Sequence, residues 1–383
     1  MIYLDNAATS WPKPELHSNL MENFLKLGCA NPGRSGHSMS VETARKIYLV
    51  RDSISELIGS PDPLQIALTC NATYAINIAL FSLFKTGDHV ITSSMEHNSV
   101  MRPLNALNRH GIEYSVAQCS SNGDLDPSDI RKAIKKNTKA IVITHASNIL
   151  GTIMPIMEIS QIAHDMNLKL IVDGAQSAGA VPVDVTDMGI DIFCFSGHKS
   201  LYGPQGTGGL FIRKGLEAEM TPLIFGGTGS NSEREEQPDS MPDKFESGTP
   251  NSPGIIALGA GIEFIEKTGI TTIFKKERDL TQIFINGLRN IEGVIIYGNE
   301  NNIERAPVIS ITIKDMSPSE VSQILDEEFN IMTRPGLHCA PTAHKTIGTF
   351  PEGTVRFGIG YFNTEEDISE TLKAIEIITN RER

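Results

Sequence analysis

Lys199 follows His198 in the stretch FSGHKSLYGPQGTGG (195–209), directly after the apolar run that begins at Asp191. Asp173 has a matching place, where the run LKLIV (168–172) meets Asp173-Gly-Ala-Gln176. If both runs are strands of an open parallel sheet, their carboxyl ends face one crevice, where such folds collect ligands. A carboxylate and a lysine on neighbouring strand ends can form a structural ion pair. They can also do chemistry. Burial and a nearby cation both disfavour an ammonium, so a lysine crowded beside His198 gives up its charge more readily than a surface lysine. Such an amine can form Schiff bases. With a buried aspartate on another strand it meets the needs of a pyridoxal phosphate site. There the lysine holds the aldehyde and the aspartate keeps the ring nitrogen protonated as an electron sink.

The phosphate of such a cofactor needs donors. Cys70-Asn-Ala-Thr73 lies between an apolar run and the helical pattern YAINIALFSLF. Backbone amides at that helix start, around Ala72 and Thr73, and the Thr73 hydroxyl can bind an anion. Ser196 and His198 can add to the same cup. The glycines of GTGG fit neither GxGxxG nor GxxxxGK[ST], so they are read as a tight turn and not as a nucleotide loop.

A second reactive candidate is Cys339 in Arg334-Pro-Gly-Leu-His-Cys-Ala-Pro, a loop by its prolines and glycine. Three readings are open: an inert buried thiol, a metal site with His338 and His344, and a reactive thiolate. An exposed thiol near Arg334 and His338 would have its thiolate stabilised. The single short loop brings no partner cluster of ligands, so no metal is expected.

These residues need a scaffold. Apolar residues recur at helical spacing from 38 to 59, ending at Gly59 and Pro61. Buried-strand runs follow at 89–93, 139–144, 168–173, 191–196 and 208–212, separated by helix-length segments such as 127–136 with Asp126 as N-cap. Strands without polar alternation, joined by helices, predict an α/β fold with a mainly parallel sheet covered on both faces. The polar stretch 226–254 reads as a mobile or interface loop, or as a linker. Beyond it come a helical stretch over 255–290, strands at VIIYG, PVISITI and TVRFGIGY, and helices from Pro318 and Thr364. These predict a smaller α+β domain. The division is 15–255 for the large domain, with 1–14 and 256–383 forming the small one.

With 383 residues, 40% of them hydrophobic, the chain can bury a large core. Its net charge of −13, from 46 acidic and 33 basic residues, offers no footprint for nucleic acid or an anionic membrane. No apolar run is long enough to cross a bilayer. The five cysteines show no CxxC pair, which suits a reducing cytoplasm. Small molecules are the expected partners.

Taken together, YLDNAAT, MEHNS, THASNILGT, VDGAQ, FSGHK, FESGTPN and RPGLHCAP, in this order over nearly the whole chain, resemble the class V aminotransferase superfamily. Within it the chain is most similar to the group II cysteine desulfurases and selenocysteine lyases, and RPGLHCAP is the motif that points to sulfur chemistry. The resemblance implies the type I pyridoxal phosphate-dependent transferase fold, with a seven-stranded sheet. It implies that Lys199 binds the cofactor aldehyde, that Asp173 pairs with the ring nitrogen and that His97 stacks on the ring. Gln176 and Asn148 would lie near the phenolic oxygen and substrate. Thr73, Ser196 and His198 would hold the phosphate, and Thr249 would reach it from the other subunit of a homodimer. Arg356 and Arg334 would bind the substrate carboxylate.

The reaction implied converts L-cysteine to L-alanine and leaves the sulfur on Cys339 as a persulfide for an acceptor protein or thiol; selenocysteine is an equal substrate candidate. The chain departs from close relatives by one extra residue between Lys199 and Gly203, and by Ala72 and Tyr74 where relatives often carry threonine and glutamate. A class V aminotransferase, lyase or epimerase with Cys339 incidental stays open, as does a non-catalytic binding module.

Overall fold

The structure is a computed structural model that describes residues 1–14, 16–28, 30–33, 35–230, 233–300 and 304–381. Position 15, at the expected domain boundary, Cys29, and residues 231 and 232 of the polar loop lie outside the described residues. The strands among the described residues are β1 (Ile2–Tyr3), β2 (Ile66–Thr69), β3 (His89–Ser93), β4 (Glu113–Ala117), β5 (Thr138–Thr144), β6 (Lys169–Asp173), β7 (Ile192–Ser196), β8 (Gly208–Ile212), β9 (Val294–Tyr297), β10 (Val308–Ile313), β11 (Ile331–Met332), β12 (Arg334–Gly336) and β13 (Thr354–Gly358).

Seven of them make one sheet in the order β2-β8-β7-β6-β5-β3-β4. The pairs among β4, β3, β5, β6 and β7 are parallel, and β8 runs antiparallel to both β7 and β2. Alternate side chains enter two separate cores, as the period of two along a strand requires. Leu170, Val172, Phe193 and Phe195 join the cluster under the helices Ser38–Leu57 and Ser252–Thr268. Ile171, Ile192, Cys194 and Leu210 join the cluster on the other face. Both faces are therefore dry, which explains the continuous apolar runs in the sequence.

The predicted helix over 38–59 is seen at Ser38–Leu57, capped by the His37 side chain, which accepts from the Ser40 amide. The expected helix over 127–136 is shorter, Pro127–Lys132, with Asp126 as its cap. The single helical stretch expected over 255–290 is two helices, Ser252–Thr268 and Ile270–Leu288. Gly269 separates them at φ +86°, a backbone state that side-chain-bearing residues rarely adopt. Strand β4 went unread in the sequence because EYSVA is half exposed at the sheet edge and carries little apolar pattern.

Over its described residues the polar stretch 226–254 is irregular as far as Asn251, where the helix Ser252–Thr268 begins, and it is anchored near its end. Glu246 forms a two-pronged ion pair with buried Arg51 at 2.6 and 3.0 Å, and accepts the Leu68 amide at 2.6 Å. A second, antiparallel sheet has the order β12-β13-β10-β9. Beside it β1 pairs parallel with β11. Ile2 and Leu4 pack there with Ile309, Phe357 and Ile375, so the first residues share a core with the last.

Candidate active site

The parallel strands β2, β3, β5, β6 and β7 end on one side of the sheet, and the residues just after them wall a cavity of about 310 Å³. Ala72, Thr73, His97, Asn148, Asp173, Gln176, Ser196, His198, Lys199, Arg334 and Arg356 all line it. Two predicted site residues do not. Cys339 stands exposed, with its sulfur 3.8 Å from the Arg334 guanidinium. Thr249 borders a separate opening with Tyr74 and Ile224.

Lys199 is the amine of this cavity. Burial lowers its pKa to about 8; Arg356 and Arg334 push the same way, against the opposing pull of Asp173 and Cys339. The backbone beneath it is clamped by the start of the chain. Ser10 Oγ donates to the Lys199 carbonyl at 2.7 Å, while Thr9 Oγ1 and Lys13 Nζ donate to the His198 carbonyl at 3.0 and 2.9 Å.

Asp173 ends β6 as a buried acid whose pKa burial raises. Its Oδ1 accepts the Ala175 amide at 2.9 Å and its Oδ2 the Ser99 hydroxyl at 3.4 Å. Ser99 also ties the aspartate to His97. The His97 Nδ1 accepts the Ser99 amide at 3.0 Å, as N-cap of the helix Asn98–Asn108, and lies 2.8 Å from the Ser99 hydroxyl. Burial, then Lys199 and three arginines, lower the His97 pKa to about 3. The ring is therefore neutral, with its proton on Nε2. Ser99 was not singled out in the sequence; its place two residues after His97, at the start of a helix, was the available signal.

Behind this layer, Glu96 is fully buried, takes the Thr144 amide at 2.9 Å and the Ser93 hydroxyl at 2.6 Å, and is pushed by burial to about 8. Burial thus favours its neutral form beside Asp173.

The helix Ala72–Leu83 opens onto the cavity. Its N-cap Asn71 accepts the Tyr74 amide at 2.9 Å, which leaves the amides of Ala72 and Thr73 without a helical acceptor. The buried Nδ1 of His198 has no partner among the described residues either. Gln176 does not offer its amide nitrogen to the cavity, because that nitrogen donates to the Ala7 carbonyl at 2.9 Å.

Arg356 is 1% exposed, donates to Asp5 Oδ1 at 2.8 Å and to the Asn148 carbonyl at 3.1 Å, and has no partner for its Nε among the described residues. Arg334 sits opposite it across β12 and β13. The loop after β12 holds two consecutive left-handed residues, His338 at φ +48° and Cys339 at φ +58°. Each such residue costs about 1–3 kcal/mol and persists only when its surroundings hold it. Here Asn148 Nδ2 grips the His338 carbonyl at 2.8 Å and the Asn98 amide grips the Cys339 carbonyl at 2.7 Å.

One expectation needs correction. His338 does not add positive charge beside the thiol: its ring bonds the Arg334 carbonyl at 2.9 Å and faces His344 at 3.4 Å, and burial lowers its pKa to about 3. Arg334 is the cation at Cys339.

Residues 2–371 match the family model of class-V aminotransferases. A probable cysteine desulfurase of Methanothermobacter thermautotrophicus is 36% identical over 98% of this chain and 94% of its own. The apo cysteine desulfurase of Thermococcus onnurineus superposes with a TM-score of 0.93 at 33% identity, over 99% of this chain and 94% of that one. The cysteine desulfurase CsdA of Escherichia coli, as its S-sulfonic acid, gives 0.88 at 26% identity over the same shares of both chains. The α/β architecture is thus the type I fold of pyridoxal phosphate enzymes, and by its sequence from β1 to the last helix this chain belongs to the class-V aminotransferase family.

Proposed function

We propose that the protein is a pyridoxal phosphate-dependent cysteine desulfurase, which converts L-cysteine to L-alanine and takes the sulfur onto Cys339. The observation that carries this reading is a cavity lined by a buried amine, Lys199, and by Arg334, whose guanidinium lies 3.8 Å from the exposed sulfur of Cys339.

The residues present fit the cofactor. An anion end is available in the unpartnered amides of Ala72 and Thr73, the hydroxyls of Thr73 and Ser196, and the orphaned Nδ1 of His198. A single carboxylate, Asp173, suits a ring nitrogen that must stay protonated. When bound, the cofactor supplies a sink for the electrons released at the substrate α-carbon.

The chain does the rest. Arg356, immobilised by Asp5 and Asn148, and Arg334 offer forked donors for the substrate carboxylate. Lys199, with its pKa near 8, is suited to accept the α-proton near neutral pH. The Cys339 thiolate attacks the substrate sulfur. A sulfur–sulfur bond forms as the carbon–sulfur bond breaks, and its electron pair stays with the carbon that becomes the alanine methyl. The balance is one cysteine in, one alanine out and one persulfide on Cys339, which a thiol or acceptor protein then takes.

Two copies are part of the proposal, since Thr249 stands outside this chain's cavity beside a run of exposed apolar residues, Leu223, Ile224 and Phe225, the last 65% exposed. A second copy would cover them and bring Thr249 to the partner's cavity. The unpaired thiols among the described residues fit a reducing compartment, the cytoplasm.

The test is turnover of cysteine, cysteine sulfinate and selenocysteine, side by side and without oxygen, with alanine quantified. Equal moles of alanine and sulfide from cysteine in the presence of a reductant support the reading. Amino-group exchange with a keto acid, and no sulfide, would replace it with a transferase.

A further inference from the structure

The turn that follows Lys199 is held from behind. Tyr202 closes it, donating its amide to the Lys199 carbonyl at 2.8 Å, and does so at φ +56°. A bulky side chain in that region is a true outlier, so its surroundings must enforce it. Two glycines admit the turn: a Cβ on Gly179 would meet the Ser200 carbonyl oxygen at 2.3 Å, and one on Gly261 the Leu201 carbonyl oxygen at 2.2 Å. The Tyr202 ring stands edge-on to Phe264 at 5.1 Å and to Phe362 at 6.1 Å.

Glu277, on the helix Ile270–Leu288, backs this turn. It is 2% exposed, lies beside the Tyr202 phenol and the Tyr361 amide, and its Oε2 has no hydrogen-bond partner among the described residues. A buried carboxyl oxygen left unpaired is costly, and native structures commonly satisfy it with an ordered water. Space for one exists. Glu277, Tyr202, Ser200, Gln176 and Ala7 line a cavity of about 10 Å³. That is at the lower end of the roughly 10–15 Å³ a cavity needs to admit a water, and such a water needs two to four polar partners. Glu277 Oε2, the Ser200 hydroxyl and the Gln176 amide oxygen are the candidates. Gln176 and Ala7 also line the large cavity, so the small one lies directly behind its wall.

We propose that this cavity binds one ordered water and that Glu277 is a positioning residue, which fixes the Lys199 turn through that water and Tyr202. The kinetic part rests on Lys199 acting as proposed above, whereas the water does not.

Crystals of the cofactor-loaded protein that resolve waters provide the first test, with Glu277→Leu and Glu277→Gln as variants. A water within hydrogen-bond reach of Glu277 Oε2 is expected in the parent and absent in Glu277→Leu. Glu277→Leu should lower kcat by about tenfold with KM unchanged, because small misplacement of a reacting group costs rate and not binding. Glu277→Gln, which keeps the hydrogen bonds, should restore most of it. If Glu277→Leu does not fold, Tyr202→Phe removes the phenol alone and should give the same loss of kcat. A dry cavity in the parent overturns the proposal, as does a folded Glu277→Leu or Tyr202→Phe with parental kcat. Absence of desulfurase activity in the parent would sink the functional reading and leave the crystallographic result standing.

Discussion

Arg334 and Arg356 stand directly opposite each other on the antiparallel strands β12 and β13, so two guanidiniums converge on one wall of the cavity. Like charges placed across from one another are unfavourable in a sheet. Asp5 offsets this from one side through Arg356, and a substrate carboxylate would offset it from the other.

The two arginines should therefore respond differently to replacement. Arg356→Lys keeps the charge but loses the fork that spans Asp5 and Asn148, and is expected to raise KM for cysteine by about 10–100-fold. Arg334→Lys, on a half-buried residue, should raise it less. Steady-state kinetics with both variants checks the order, and equal effects would contradict it.

Cys339→Ser should keep the visible absorbance of the bound cofactor and abolish the persulfide. Mass spectrometry of the protein after exposure to cysteine is the measurement, with the loss at least about a thousandfold for removal of a nucleophile. Undiminished sulfur release would show that another group attacks the substrate.

Capture of pyridoxal phosphate by the cofactor-free protein requires the neutral amine of Lys199. Burial lowers that pKa to about 8. The capture rate, followed by absorbance, should rise with pH up to about 8 and level off above it. A rise that continues toward pH 10 would mean an ordinary solvated lysine.

Glu96 supplies a test by stability. Its folded pKa is raised from 4.5 to about 8, so the folded state binds more protons than the unfolded state between those values. Its contribution is full below about pH 4.5 and is lost as pH rises through about 8, with a slope of at most about 1.4 kcal/mol per pH unit. Glu96→Gln keeps the shape without titrating, so urea denaturation across this range should show a flatter profile than the parent. Identical profiles would mean that Glu96 is ionised in the fold.

Much of this site was legible in the sequence because strand ends in a parallel sheet are fixed by topology. Once LKLIV and DIFCF read as neighbouring buried strands, Asp173 and Lys199 had to share an edge. Thr73 was read from the helix start that follows Cys70 and Asn71, whereas His97 and Asn148 came from the resemblance to the class V family. What stayed hidden depends on contacts between distant segments. The commitment of Gln176 to Ala7, the pairing of Arg356 with Asp5 and the stacking of His338 on His344 have no local pattern. Ser99 and Glu96 were hidden differently, flanking an evident histidine in types that most often serve as helix caps or solvated charge.

The clamp of residues 5–13 on Lys199, His198 and Arg356 has a consequence for assembly. Asp5 and Arg356 are 351 positions apart, yet each helps complete the same chamber. A fragment carrying all seven strands of the large sheet but lacking residues 1–13 would possess the reactive amine on a turn whose Lys199 and His198 carbonyls had lost their donors. The chamber is thus finished only when segments from opposite regions of the chain have docked against the same sheet.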